Sequence, residues 1–138
     1  LATYSGELRL TTAGDGDTID ITEGVERVVA QSGATEGTIT VFVPGSTAAV
    51  TTMEFERGGV HDLKATLDHL IPAKRNYEHN RLNHDSNAHA HIRAAIVGPS
   101  ETIPLRDGTL RLGIWQQVVL LDFDDRPRER TVVVTVTS

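Results

Sequence analysis

The chain has 138 residues, 38% of them hydrophobic and 23% charged, with no cysteine. That length fits one domain spanning 1–138, and no apolar run approaches the ~20 residues that a membrane span requires. A formal net charge of −6 excludes a general nucleic-acid binder, which needs a basic face.

The opening stretch Leu1–Gly6 has neither the basic nor the apolar block of a signal peptide, so the cytoplasm is the expected compartment. Glu7–Thr12 alternates polar and apolar residues and predicts a half-buried strand, followed by a turn at 13–17. Thr22 is a candidate N-cap for a helix with Val25, Val28 and Val29 on one face, ending near Ser32-Gly33. Gly37–Val43 and Thr47–Phe55 are β-branched and aromatic, broken by Pro44-Gly45-Ser46, and are expected to be neighbouring strands. After Gly58-Gly59, Val60–Ile71 carries a helical apolar stripe that Pro72 stops, and the polar stretch 73–87 is expected to be a long loop. Asn87–Gly98 can be read as an alternating strand; its four alanines, Asn87 as N-cap and Gly98-Pro99 as a stop favour a helix. Asp107-Gly108 between Thr102–Leu105 and Thr109–Leu112 predicts a hairpin. Ile114–Phe123 and Thr131–Thr137 are expected to pair around the charged turn Asp124–Arg130. The chain therefore reads as an α+β domain with a largely antiparallel sheet and two or three helices.

All six histidines fall between His61 and His91, and four of them between His79 and His91. Without cysteine, a zinc site needs three or four histidines and carboxylates within about 2.0–2.2 Å of the ion. His79, His84, His89 and His91 have that chemistry, although no HExxH pattern is present. On a helix His89 and His91 point about 200° apart and do not easily share an ion, whereas on a strand they share a face. His61 and His69 fall on the polar side of the Val60–Ile71 helix, where an exposed histidine is the ordinary case.

Arg126, Arg128 and Arg130 alternate, which lets Arg128 aim its paired N–H donors at a phosphate; the alternative is a solvated turn in which they pair with Asp122, Asp124 and Asp125. Trp115 and Gln116 follow Gly113, so Trp115 is a candidate to stack on a heteroaromatic ring, with core or subunit packing as the alternative. The amides and hydroxyls of Ser46 and Thr47 are candidates to hold an oxyanion, but Ser46 has no adjacent base to make it a nucleophile. No P-loop or dinucleotide-binding glycine pattern occurs.

The segments Tyr77-Glu78-His79-Asn80, Asn87–Ala95, Gly98-Pro99-Ser100, Leu112–Gln117 and Arg126–Arg130, in this order, resemble the YjbQ family of small, largely uncharacterised proteins. The resemblance covers roughly 40–138 and implies a trimeric, sandwich-like α+β fold. It also implies a histidine pocket associated with metal and, for some members, thiamine-phosphate synthase activity. It assigns His79 and His91 to the metal pocket, Glu54 to a family carboxylate and Asp62 to the aspartate that opens a helix. Where many members carry a histidine that completes the site, this chain has Gly45, and His84 or His89 is the candidate substitute.

Two functions follow as expectations. One is a metal-assisted enzyme acting on a small phosphorylated metabolite, with Glu54 and Arg128 catalytic and Ser46, Thr47, Trp115 and Gln116 binding substrate. Its divalent metal would be zinc by ligand type, or magnesium with a pyrophosphate substrate. The other is a non-catalytic homotrimer that binds a metal or small anion, with no nucleic-acid or membrane partner in either case.

Overall fold

The computed structural model describes residues 2–138; Leu1, the first residue of the N-terminal stretch considered above, lies outside them. In chain order the elements are β1 (Thr3–Thr12), β2 (Asp17–Asp20), α1 (Thr22–Ser32), β3 (Glu36–Phe42), β4 (Ala48–Met53) and α2 (Arg57–Leu70). They continue with α3 (Glu78–Asn83), α4 (Ala88–Val97), β5 (Ser100–Arg106), β6 (Thr109–Leu110), β7 (Gln117–Asp122) and β8 (Arg128–Thr137). All pairings are antiparallel and form a five-stranded sheet, β1-β8-β3-β5-β6, and a three-stranded sheet, β2-β7-β4.

The layers follow from side-chain alternation. Ile39, Val41, Val132 and Val134 of the larger sheet face Ala48, Val50, Val118 and Leu120 of the smaller one, with Val25, Val28 and Val29 of α1 closing the same core. The next residues along β4 and β7, Ala49, Val119 and Leu121, turn to the opposite face. There they pack with Phe123 against Leu67 of α2, Ile71, and Ala90 and Ala94 of α4. The small sheet is thus buried on both faces, which is why Val118–Leu121 is continuously apolar. Arg93, 4% exposed, ties the helical layer together by donating Nε and Nη2 to the Ile71 carbonyl and Nη2 to Asp68.

The α+β class, α1 with its left-handed Gly33 stop (φ 72°), and the helix at 88–97 agree with the sequence reading, except that Ile21 and not Thr22 stands at the cap of α1, the Thr22 amide and hydroxyl both donating to Asp20. So does the β5–β6 hairpin, whose Asp107 and Gly108 take φ of 54° and 72° as a tight antiparallel turn demands. Four further expectations are corrected. β3 and β4 are not neighbours, because the chain at Pro44–Ser46 crosses from the large sheet to the small one. β7 and β8 do not pair for the same reason, and the turn between them is only residues 123–127. Helix α2 begins before Gly58-Gly59, because the Glu56 carboxylate accepts from both glycine N–H groups and caps the helix. The polar stretch 73–87 contains α3, and 17–20 forms the unpredicted strand β2. No helix among the described residues is long and apolar enough to cross a membrane.

Candidate functional site

The register places several polar residues at one end of the sandwich. Thr12 at the end of β1 pairs with Arg128 at the start of β8, and Ala48 at the start of β4 pairs with Asp122 at the end of β7. Asp122 is completely buried. Its Oδ2 accepts from Thr12 Oγ1 (2.5 Å) and Arg130 Nε (2.7 Å), and its Oδ1 from Arg130 Nη2 (2.9 Å) and the Asp124 amide (3.1 Å). Asp124, 1% exposed, accepts on Oδ2 from Arg128 Nε (2.9 Å) and the Thr47 hydroxyl (3.1 Å). Its Oδ1 accepts from the Asp125 amide (2.8 Å) and Asn87 Nδ2 (3.4 Å). Two carboxylates are thereby neutralised by two guanidiniums, as buried charge requires.

The chain of bonds continues to the histidines. An ionised carboxylate only accepts, so Asp124 fixes the Asn87 amide with its NH2 inward and its Oδ1 outward. That Oδ1 lies 3.0 Å from His79 Nε2, which must carry the proton and donate. In the neutral ring the Nδ1 lone pair of His79 is then free. Asp85 Oδ2 lies 3.6 Å from the same Nε2. The His91 ring stands beside that of His79, with centroids 4.6 Å apart and planes tilted by 52°. His91 also lines an open pocket of about 240 Å³ with Gly45, Ser46, Ala48, Ala94, Ala95 and Pro99.

Each candidate residue has a definite place. His79 and His91 come together. His89 does not join them: two positions earlier on α4 it faces the opposite side, where it is buried with Nδ1 unpartnered. Burial, and then the nearby Arg93 charge, push its pKa down, so it is a neutral interior residue. His84 ends α3 in a left-handed conformation (φ 50°) and is exposed. Among the described residues no three of His, Cys, Asp and Glu converge on a point that could hold a metal ion. Two imidazoles without a third ligand do not fit a resident metal within one chain.

Ser46 lies on the pocket wall, but the Thr47 hydroxyl is committed: it donates to Asp124 and accepts from Arg130 Nη2 (2.8 Å). Arg128 is held by Asp124 in the paired arrangement weighed above, while its side chain stays 40% exposed. Glu54, Trp115 and Gln116 lie elsewhere. Met53 pairs with Gln117 at the far end of β4 and β7 from Ala48 and Asp122. At about 3.3 Å per residue that end is roughly 15–20 Å away. There Gln116 bonds Thr52 (2.8 Å), Gln117 accepts from the Phe55 amide (2.8 Å), and Trp115 is 71% exposed. These residues do not act with the histidines of the same chain. Asp62 is exposed on α2 beside His61.

The residues that sequence reasoning passed over as functional are Asn87, Asp122, Asp124 and Arg130. Their signal was the Asp-x-Asp at the end of one strand and the Arg-x-Arg at the start of another, each spacing putting two like charges on one face.

Burial alone would raise the pKa of Asp124, but the bonds from the Asp125 amide, Asn87, Arg128 and Thr47 outweigh it and hold the value at about 2 against an ordinary 3.8. Asp122 is lowered as well, its burial outweighed by Arg130, Thr12 and the Asp124 amide. A carboxyl with a depressed folded pKa contributes stability that is complete above its unfolded pKa and lost as pH falls through the folded one. In denaturant unfolding between pH 7 and 2 the contribution of Asp124 is therefore expected to be constant above about pH 5 and to fall by about 2 kcal/mol below it. In Asp124→Asn that part of the acid slope disappears; an unchanged slope would refute the assignment.

Comparison with known proteins fits this geometry to a family. Residues 6–138 match the model described as "UPF0047 protein YjbQ-like". The chain belongs to the YjbQ-like UPF0047 family. A UPF0047 protein of Archaeoglobus fulgidus is 41% identical over 128 residues, covering 93% of this chain and 97% of that one. Another, from Methanothermobacter thermautotrophicus, is 36% identical and covers 98% and 92%. Among solved structures, a YbjQ-like protein of unknown function from Sulfolobus solfataricus superimposes with a TM-score of 0.93 at 34% identity, covering 98% and 96%. An uncharacterised member of the family from Clostridium acetobutylicum gives 0.87 at 36%, covering 95% and 98%. Fold and family membership are thereby shown, and the chemistry of this UPF0047 protein rests on its site.

Proposed function

We propose that this UPF0047 protein is an enzyme acting on a small phosphorylated metabolite, with His79 and His91 as its proton-handling pair and Arg128 facing the anionic group. The observation that carries this reading is the Asp124–Asn87–His79 relay, which fixes one imidazole tautomer beside a second imidazole at the mouth of a pocket. A general acid or base works only with its tautomer and ring orientation fixed in this way. Arg128, anchored by Asp124 yet 40% exposed, is a guanidinium prepared to meet an anion without reorganising.

Formation of thiamine phosphate, the reaction that the family resemblance suggests, fits this set. A thiazole nitrogen attacks the methylene of a pyrimidine pyrophosphate, the carbon–oxygen bond breaks, and pyrophosphate leaves with the electron pair. Arg128 and a protonated imidazole then stabilise the negative charge growing on the leaving oxygen. No step is assigned to a metal. A divalent ion, zinc or magnesium, would find two imidazoles here and would have to take its other ligands from substrate, water or another chain.

The test measures thiamine phosphate formation and pyrophosphate binding by the purified chain, with and without EDTA. Turnover that survives the chelator supports the reading, and turnover that requires added metal shows that the two imidazoles recruit external ligands. Absence of both binding and turnover refutes it, while binding without turnover favours a non-catalytic anion-binding protein.

We also propose assembly with copies of itself, as a trimer on the family resemblance. Ile114 and Trp115, 87% and 71% exposed, supply apolar surface that a subunit contact would cover. Light scattering at low concentration is expected to find a particle of about three chain masses, and a 15.0 kDa particle would refute assembly.

A further inference from the structure

The large sheet ends on one side at β6, two residues long, and on the other at β1, ten residues long. Sheet edges are usually kept short, bulged, broken by proline or covered, because their unpaired N–H and C=O groups accept a further strand. β1 has no proline, and its register with β8 runs from Thr3 to Thr12 without a bulge. The reciprocal bonds between Ala2 and Ser138, both 3.0 Å, fix which backbone groups point outward. Such pairs alternate along an antiparallel ladder, so the even-numbered residues of β1 bond β8, while Ser5, Glu7, Arg9 and Thr11 turn their N–H and C=O groups away from it. Among the described residues none of these outward groups bonds another part of the chain. A groove of about 340 Å³, lined by Glu7–Leu10 and by Asp20, Glu23 and Arg27, leaves open space beside the strand. The Glu7 and Arg9 side chains share the solvent face of β1, 53% and 84% exposed and 3.7 Å apart.

We infer that this edge binds a second copy of the chain, the two β1 strands running antiparallel about a two-fold axis at Leu8. Outward groups must meet outward groups, so the axis passes through a residue of β1, and charge selects which one. An axis at Glu7 or at Arg9 sets like charges directly opposite each other, which destabilises an antiparallel pair. An axis at Gly6 or Leu10 pairs neither charge. At Leu8, Glu7 of each copy stands opposite Arg9 of the other, and Ser5 stands opposite Thr11. The loose ion pair within one strand then becomes part of a set of four charges alternating in sign. The facing backbone groups of these residues make about eight N–H···O=C bonds. On the opposite face the two Leu8 side chains meet, and Leu8 and Leu10, half-buried against the core in each chain, continue that core across the contact. A two-fold contact uses the same patch on both chains, so it is not one of the contacts around a three-fold axis. It joins two chains, or two of the trimers proposed above, edge to edge, and it is independent of the histidine site.

Sedimentation velocity at high protein concentration compares the unmodified chain with Glu7→Lys, with Arg9→Glu and with an equal mixture of these two variants. Both side chains are exposed, so the variants are expected to keep the fold, with thermal melting as the check. Each variant alone sets like charges opposite each other twice across the axis and is expected to self-associate about tenfold or more weakly. Its particle then has half the mass of the unmodified one. In the mixture a copy with two positive positions meets a copy with two negative ones, and the full mass is expected to return. Amide hydrogen exchange reads the edge directly. The Ser5, Glu7, Arg9 and Thr11 amides are expected to be protected in the full-mass particle and to exchange rapidly in either variant alone, whereas the Leu8 amide, bonded to β8, stays protected in both. Equal masses for the unmodified chain and the single variants overturn the inference. So does a mixture that stays at half mass, and so do outward amides that exchange rapidly in the full-mass particle. Whether the halved particle is a single chain or a trimer tests the trimer separately.

Discussion

Replacing Asp122 by alanine is expected to destabilise the protein by about 3–5 kcal/mol, the range typical when one partner of a buried ion pair is removed. The effect comes from what is left behind. Arg130, its side chain 9% exposed, would lose both Asp122 bonds and keep the Thr47 hydroxyl and, 4.0 Å away, the Asp124 carboxylate that Arg128 already holds, while the Thr12 hydroxyl and the Asp124 amide would lose their acceptor. A loss of that size is a large part of the roughly 5–15 kcal/mol that holds a domain together. Arg130→Ala should cost a similar amount, because it strands Asp122. The pair Asp122→Leu with Arg130→Met removes both charges and is expected to recover most of the loss, since apolar replacements of a buried ion pair are often neutral. Urea denaturation of the unmodified chain, Asp122→Leu, Arg130→Met and the pair closes the double-mutant cycle, with the two alanine variants measured beside it. Singles that lose less than about 1 kcal/mol would show that the pair behaves as an exposed one and that the site does not depend on it for rigidity.

Local signals were legible where the physics is local. Asp107-Gly108 specified its own turn, Val25, Val28 and Val29 their own helix face, and the apolar stretch Ile114–Phe123 contained the strand β7. Which strands pair was not legible, because crossing from one sheet to the other at Pro44–Ser46 leaves no local mark different from a hairpin. Gly58-Gly59 looked like punctuation, but glycine in a first helical turn is tolerated when a side chain caps its N–H groups, and Glu56 does so.

At the site, composition gathered six histidines and the helical period separated two of them. Once 88–97 is a helix, His89 and His91 cannot face the same way, and one becomes interior while the other reaches the pocket. The role of Asn87 was hidden by its suitability as a cap. It does stand at the cap position, but its side chain makes no capping bond there and instead bridges His79 and Asp124, while Asn80 Oδ1 accepts from the Ala88 amide. Glu54, Trp115 and Gln116 entered as isolated chemical types or by resemblance, and the register between β4 and β7 puts them at the wrong end. Sequence distance along a strand translates directly into ångströms, but only once the pairing is known.

His91→Ala is expected to lower kcat/KM for thiamine phosphate formation by about 10²–10⁴-fold, the usual contribution of a positioned acid or base. The fold should survive, because His91 is only partly buried and stands at the pocket rather than in either apolar core. Its loss is therefore separable from the collapse expected of Asp122→Ala. Asn87→Ala gives a different signature, since Asn87 does not line the pocket and its loss frees the His79 ring and tautomer while removing one donor from Asp124. A positioning role predicts a smaller fall, about tenfold, concentrated in kcat with little change in KM. Steady-state kinetics with thermal melting as a control distinguishes the two. Equal kcat and KM in His91→Ala and the unmodified chain would remove the histidine pair from the chemistry and leave this end of the sandwich as an anion-binding surface alone.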